Sequence, residues 1–241
     1  MKKADIFVFM LVCLLVLCFM PIDFMKGFQK DFLFNKDYWY ITSFLKFGIL
    51  ATLGEAIGLR ITKGIYNYNG FGLIPRAIVW GFLGICIQIA FVVFGAGSPV
   101  VLEKLFNVKG AIQSMWYAGY FDAADNGFGT ERILSAVTIS ILLNMIFAPV
   151  FMTYHKITDT HILNNKGTLG GFLRWIDIKG IFPVLNWKVQ WNFIFKKTIP
   201  FFWIPAHTVT FLLVEEYRII FAALLGIVLG IILAIANQKK N

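Results

Sequence analysis

The sequence predicts an all-α integral membrane protein, a helical bundle of about six transmembrane helices with amphipathic helices at the membrane interface. The chain is 59% hydrophobic and 15% charged, whereas soluble domains have roughly 45–50% apolar and 25% charged residues. In addition, residues 219–236 form an apolar run without a charge. Since each helical residue adds about 1.5 Å, this run covers most of a hydrocarbon layer of about 30 Å.

We predict a single transmembrane domain over residues 1–241. The apolar runs that predict its spans are, in chain order, 6–22, 38–59, 74–94, 133–154, 198–214 and 217–236. The fifth run is short and contains Pro200 and Pro205, so a bundle of five full spans is left open.

Two further segments, 101–120 and 171–197, are predicted to lie at the membrane interface. In the first, apolar residues follow helical spacing between charged residues, which is typical of an interfacial helix. In the second, tryptophans alternate with basic residues, which is typical of the headgroup layer. A soluble helix for the first segment and RNA binding for the second are the alternatives.

The net charge of +9 does not indicate a nucleic-acid partner, because the basic residues lie mostly between apolar runs. Six spans put about twice as many basic residues on the side of the two termini as on the other side. The positive-inside rule then predicts that both termini are cytoplasmic. For a bacterial chain, the expected location is the plasma (inner) membrane.

No motif predicts a metal, a cofactor or an enzymatic reaction. The three cysteines include no CxxC pair, and no phosphate loop, dinucleotide motif or nucleophile elbow occurs. The one candidate metal cluster, His155, Asp159 and His161, lacks an evident further ligand. We therefore predict no metal and no cofactor, and a membrane-embedded enzyme is only a third hypothesis.

Polar residues inside apolar runs are the candidates for function. A carboxylate such as Glu55 is costly in a bilayer, so it marks either a functional site or a buried structural group. Amides, hydroxyls and imidazoles in spans either line a polar path or form hydrogen bonds between helices. The candidates for a polar interior or pore are Glu55, Gln88, Asn144, His207 and Thr210.

Small residues at helical spacing predict close packing between helices. These positions are Gly54, Gly58, Gly81, Gly84, Ala222, Gly226, Gly230 and Ala234. Basic and aromatic residues near the ends of spans are predicted to anchor the bundle in the headgroup layer. These anchors are Arg76, Trp187 and Arg218.

Four groups of residues occur in a characteristic order. They are Leu53-Gly54-Glu55, Arg76 with Gly81-Phe82-Leu83-Gly84, Asn144 with Phe147-Ala148-Pro149, and Trp203-x-Pro205-x-His207 followed by Phe211 and Tyr217-Arg218. Their order resembles the peroxisomal membrane protein family that includes the mitochondrial inner-membrane protein Mpv-seventeen. The resemblance covers about residues 48–236 and identifies the chain as a divergent, bacterial-type member.

The chain departs from that family at several motif positions. Glu55 stands in place of the family's aspartate, Asn144 in place of glutamine, and His207 in place of glutamine. Ile85 follows Gly84 where the family has proline, and no tryptophan-asparagine pair ends the last helix. The first span and much of residues 155–197 lie outside the resemblance.

Members of this family are described as pore-like proteins that pass small solutes, and the resemblance implies the same for this chain. We therefore expect a multi-pass channel or transport-related protein for small solutes. The alternative is a non-catalytic membrane scaffold or assembly protein in which the polar groups only hold helices together. The expected partners are the lipid bilayer and a small solute, with no nucleic acid, and a homo-oligomer is left open.

Overall fold

The computed structural model describes residues 3–20 and 22–238, and the side chains of residues 232–238 lie outside the description. All regular elements among these residues are helical and none is a β-strand, so the predicted all-α class is confirmed. The six main helices are α1 (Lys3–Phe19), α2 (Trp39–Lys63), α3 (Leu73–Phe106), α4 (Gly129–Asn164), α5 (Ile204–Leu212) and α6 (Glu215–Gln238).

The chain divides into two compact units, Met1–Thr42 and Ser43–Asn241. In the first unit, α1 is followed by a break and a second helical stretch, Asp23–Leu33, at an angle of 77° to it. The second unit contains most of α2 and all of α3 to α6. A single domain over residues 1–241 stays a prediction.

Two of the described helices, α3 and α4, are long and apolar enough to cross a membrane. If α1 and the stretch that follows it form one bent span, the described residues hold three such elements. The topology of six spans therefore stays a prediction, and the structure supports it only in part.

The helix α3 is longer than the predicted third span, 74–94. It continues through Pro99 to Phe106. A proline has no backbone N–H, and its ring crowds the carbonyl group four residues earlier. In α3 that carbonyl group belongs to Gly95. The predicted interfacial helix 101–120 is therefore wrong as one element, because its first turn belongs to α3 and only short helices follow.

The helix α4 is also longer than predicted and contains a π-helical turn, Leu143–Phe147, before Pro149. Proline cannot donate a backbone hydrogen bond, which favours such a local change of helical spacing. After Tyr154, where the apolar run ends, α4 continues to Asn164. The polar residues of this extension remain helical because several of them contact neighbouring helices, as described below.

The predicted fifth span, 198–214, is the second half of a longer helical element. A π-helical stretch, Gln190–Trp203, leads directly into α5. Pro200 interrupts the first part and Pro205 lies at the start of α5. The last residues of the predicted interfacial segment 171–197 belong to this element, and the position of the segment at the membrane interface stays a prediction.

Glycines set the distance between α2 and its two neighbours. A Cβ atom on Gly48 would lie 2.9 Å from the carbonyl oxygen of Ala77 in α3, and one on Gly84 would lie 2.5 Å from Phe47. On the other side, a Cβ atom on Gly54 would lie 3.0 Å from the Cα of Ile227 in α6. A larger residue at these positions would force the helices apart, so glycine permits the close approach.

Arg132 joins three parts of the bundle at one end. Its side chain is fully buried, and Nη1 donates to the carbonyl oxygens of Ser114 and Tyr117 at 2.9 Å each. Its Nη2 donates to the carbonyl oxygen of Phe211, near the end of α5, at 3.3 Å. Backbone carbonyls at chain turns and helix ends lack a hydrogen-bond donor within a helix. The Arg132 guanidinium donates the hydrogen bonds that these carbonyls lack.

Candidate functional site

A cavity of about 300 Å³ lies among α2, α3, α4, α5, α6 and the Gln190–Trp203 stretch. Most of the side chains that line it are apolar, such as Phe47, Leu143, Phe151 and Leu229. The polar or titratable side chains that line it are Glu55, Asn144, His155, Thr198 and His207, together with the indoles of Trp80 and Trp203. An apolar pocket with a few convergent polar groups is the usual form of a small-molecule site.

Glu55 of α2 forms an ion pair with Arg76 of α3. The Nη1 atom of Arg76 donates to Glu55 Oε2 at 2.7 Å. The arginine is held by a further bond from its Nε to the carbonyl oxygen of Phe71 at 2.8 Å, and its guanidinium lies 4.4 Å from the centre of the Phe71 ring. Because Gly72 adopts a left-handed conformation (φ 74°) just before α3, the chain turns back and brings Phe71 to the arginine.

The same arginine reaches α4. Its Nη1 atom also pairs with Asp159 Oδ1, and Lys156 pairs with Asp159 Oδ2 at 3.1 Å. The side chains of Arg76 and Asp159 are 7% and 13% exposed. Two carboxylates are thus matched by two basic groups, and α2, α3 and α4 are connected by one network of ion pairs.

The second oxygen of Glu55 also has partners. Trp80 donates from Nε1 to Glu55 Oε1 at 2.9 Å, and His155 Nε2 lies 3.4 Å from the same oxygen. The rings of Trp80 and His155 have centroids 4.3 Å apart. A membrane-embedded enzyme could use such a histidine–carboxylate pair for proton transfer. Glu55 is hydrogen-bonded at both oxygens, however, so it is poorly suited to act as a base.

A second polar group of residues lies nearer the start of α4. It is about 16 Å from the first group along the helix axis, since Asn144 precedes His155 by eleven residues. The Nδ2 atom of Asn144 donates to the carbonyl oxygen of Ser140 at 2.8 Å and lies 2.9 Å from His207 Nδ1. Because an amide nitrogen can only donate, His207 Nδ1 accepts this bond and carries no proton. The imidazole packs against the Trp203 ring, with centroids 5.2 Å apart.

Two polar atoms of this second group have no hydrogen-bond partner among the described residues. They are the Oδ1 atom of Asn144 and the Nε1 atom of Trp203, and both atoms are buried. An unpaired buried acceptor or donor costs about 1–3 kcal/mol. The Oδ1 atom of Asn144 can accept a hydrogen bond, and the Nε1 atom of Trp203 can donate one.

The structure brings together three of the five predicted polar residues. Glu55, Asn144 and His207 line the same cavity. Gln88 and Thr210 do not line it: Gln88 is half-buried elsewhere on α3, and the hydroxyl of Thr210 donates to the carbonyl oxygen of Ala206 at 3.0 Å. Thr210 is therefore a helix-bonded core residue.

The predicted packing residues have several different surroundings. Gly54, Gly58, Ala222, Gly226 and Gly230 line the cavity, and Gly81 and Gly84 face the rings of Phe44 and Phe47. A Cβ atom on Gly226 would have no neighbour within 4 Å, so this glycine borders open space. The side chain of Ala234 lies outside the described residues.

The interpretation of Arg76 as a headgroup anchor is corrected. Its side chain is buried and paired with Glu55 and Asp159, so it serves the bundle interior. Arg218 is half-buried and donates from Nε to the carbonyl oxygen of Leu213 at 3.3 Å. Trp187 is half-buried and donates from Nε1 to the carbonyl oxygen of Phe182 at 3.0 Å.

The one group of possible metal ligands among the described residues is Glu55, His155 and Asp159, whose ligand atoms lie within 4.8 Å of one another. The cluster considered from the sequence differs, because His161 is buried elsewhere, with its Nε2 3.2 Å from the carbonyl oxygen of Phe172. Nη1 of Arg76 pairs with both carboxylates. The arginine thus supplies the positive charge that a metal ion would bring.

Sequence reasoning missed Trp80 and the role of Arg76, and it considered His155 and Asp159 only as possible metal ligands. A signal existed, because Arg76 and Trp80 are four residues apart, as are His155 and Asp159. Residues at this spacing share one helix face. The sequence did not indicate that both faces turn toward Glu55.

Comparison of the chain with known protein families, with characterised proteins and with solved structures finds no match. The resemblance to the peroxisomal membrane protein family therefore stays a prediction.

Proposed function

We propose that the chain is a multi-pass membrane protein that conducts small neutral solutes through the cavity between α2 and α6. The observation that supports this most is that Glu55, Asn144 and His207, from three different helices, all line one cavity of about 300 Å³. Polar groups inside membrane bundles commonly mark pathways for substrates.

The walls favour a neutral solute over an ion. Most lining residues are apolar, and moving an unpaired ion into such surroundings carries a large desolvation cost. The charges near Glu55 are already balanced by Arg76 and its partners. Asn144 and Trp203 line the cavity, and each has one polar atom without a partner, which favours a hydroxylated solute such as a small polyol over a hydrocarbon.

The membrane setting is part of this proposal. The apolar helices α3 and α4 support it, and the excess of basic residues on one side favours cytoplasmic termini. For a bacterial chain we expect a plasma-membrane location. A homo-oligomeric state is left open.

The test is the rate at which glycerol enters proteoliposomes that contain the full chain, followed by light scattering. Gly226→Leu places a side chain into the open space beside α6, where a Cβ atom meets nothing within 4 Å, and we expect it to reduce glycerol entry. Gly97→Leu is the matched control, because Gly97 is exposed, also has open space around it, and does not line the cavity.

The scaffold alternative predicts a different result. If the polar groups only join helices, parent and empty liposomes take up glycerol equally fast, and the variants change nothing. Sodium and chloride flux serves as a second control, since the proposal expects no ion flux above that of empty liposomes.

A further inference from the structure

The chain between Leu173 and Lys197 exposes several large apolar side chains. Trp175 is 100% exposed, Leu173 79%, Val184 74% and Trp191 56%. Large apolar surfaces are costly in water and indicate an interaction site. We call residues 173–197 the basic-aromatic segment.

The middle of this segment is held in place by packing, so its exposed side chains have a fixed support. Ile181 and Leu185 are buried against Ile157 of α4. The rings of Phe182 and Trp187 lie edge to face, with centroids 4.8 Å apart. Val184, which lies between Ile181 and Leu185, is therefore exposed on a packed part of the segment.

The charges of the basic-aromatic segment are almost all positive. Its five basic residues are Arg174, Lys179, Lys188, Lys196 and Lys197, and its one acidic residue is Asp177. The carboxylate of Asp177 accepts a hydrogen bond from the backbone amide of Gly180 at 2.9 Å. Among the described residues, no hydrogen bond or ion pair involves the charged groups of Arg174, Lys179 or Lys188.

We propose that the basic-aromatic segment docks on the headgroup layer of a membrane leaflet that contains anionic phospholipid. Its basic groups bind lipid phosphates, and its exposed indoles and aliphatic side chains enter the boundary between headgroups and acyl chains. Interleaved tryptophans and cations fit this layer, where one part of a side chain is apolar and the other is wet. The proposal does not depend on solute passage through the cavity.

The test uses the full chain in bilayers of phosphatidylcholine and phosphatidylglycerol, with one of the two lipids brominated at a time. Bromine quenches tryptophan fluorescence only at contact distance. We expect brominated phosphatidylglycerol to quench several-fold more strongly than brominated phosphatidylcholine at equal mole fraction. Trp175→Phe should remove a large part of the quenched signal and thereby assign it to the segment.

Lys179→Gln with Lys188→Gln should abolish the preference for phosphatidylglycerol. The matched control is Lys104→Gln with Lys109→Gln, because both lysines are exposed but lie outside the segment, and this pair should keep the preference. Equal quenching by the two lipids, or a preference that survives the first pair, overturns the proposal. So does a Trp175 signal that neither lipid quenches, since a protein partner or water would then cover the segment.

Discussion

Removing the charge of Arg76 should destabilise the bundle far more than removing the charge of Glu55. Arg76→Met leaves Glu55 and Asp159 partly buried without their shared cation, and breaking a buried pair from one side costs about 3–5 kcal/mol. Glu55→Gln leaves Arg76 paired with Asp159, so we expect a cost of about 1–3 kcal/mol. The free energy of unfolding is measured by titrating the detergent-solubilised protein with a denaturing detergent.

A double variant that combines Arg76→Met with Glu55→Gln gives the interaction energy between the two side chains. Charge centres about 4 Å apart attract by about 4 kcal/mol at an effective dielectric constant of about 20. Desolvation opposes part of this attraction, so a coupling of about 1–3 kcal/mol is expected, as for other contacting groups. If the costs of the two single substitutions simply add in the double variant, the ion pair between α2 and α3 is not formed and the reasoning fails.

Three further changes follow from the geometry. Arg132→Met should lower the free energy of unfolding by about 3–5 kcal/mol, because buried carbonyl oxygens lose their donor. A cost below about 1 kcal/mol in the same titration would contradict these buried hydrogen bonds. Gly84→Leu should prevent close packing, since even a Cβ atom comes within 2.5 Å of Phe47; a variant that keeps the parent's elution volume and unfolding midpoint would refute this contact. Trp203→Phe keeps the ring beside His207 but removes the unpaired N–H, so it should slow glycerol entry while stability is unchanged or higher; undiminished entry would exclude a role for that donor.

The positions of the polar residues could be predicted from the sequence, because charged and amide groups inside apolar runs are few. Glu55, Asn144 and His207 were singled out in this way, and the structure has all three at one cavity. Thr210 was singled out by the same criterion but satisfies its hydroxyl within its own helix. Hydroxyls can bond the preceding turn, so polarity alone does not separate the two cases.

The partners of Glu55 could not be predicted from the sequence. Arg76 and Glu55 lie 21 residues apart on different helices, and their meeting depends on how α2 and α3 are rotated against each other. The glycines permit a close approach of the two helices. The spacing of small residues predicted close packing, but it did not indicate which helix packs against each of them.

Helix ends were also poorly predicted near prolines. The predicted third span ends at residue 94, but α3 continues through Pro99 to Phe106. Near Pro149, the sequence predicts one span over residues 133–154, and the structure has a π-helical turn from Leu143 to Phe147 inside a helix that continues to Asn164. In both cases neighbouring helices support the local change, and such tertiary contacts are absent from a local pattern.

The most direct test of solute passage is the rate of glycerol entry into proteoliposomes with Gly226→Leu and with Gly97→Leu. The proposal predicts entry faster than in empty liposomes for the parent and for Gly97→Leu, and entry close to the empty-liposome rate for Gly226→Leu. Equal rates for both variants and the parent would contradict a path through the cavity that Glu55, Asn144 and His207 line.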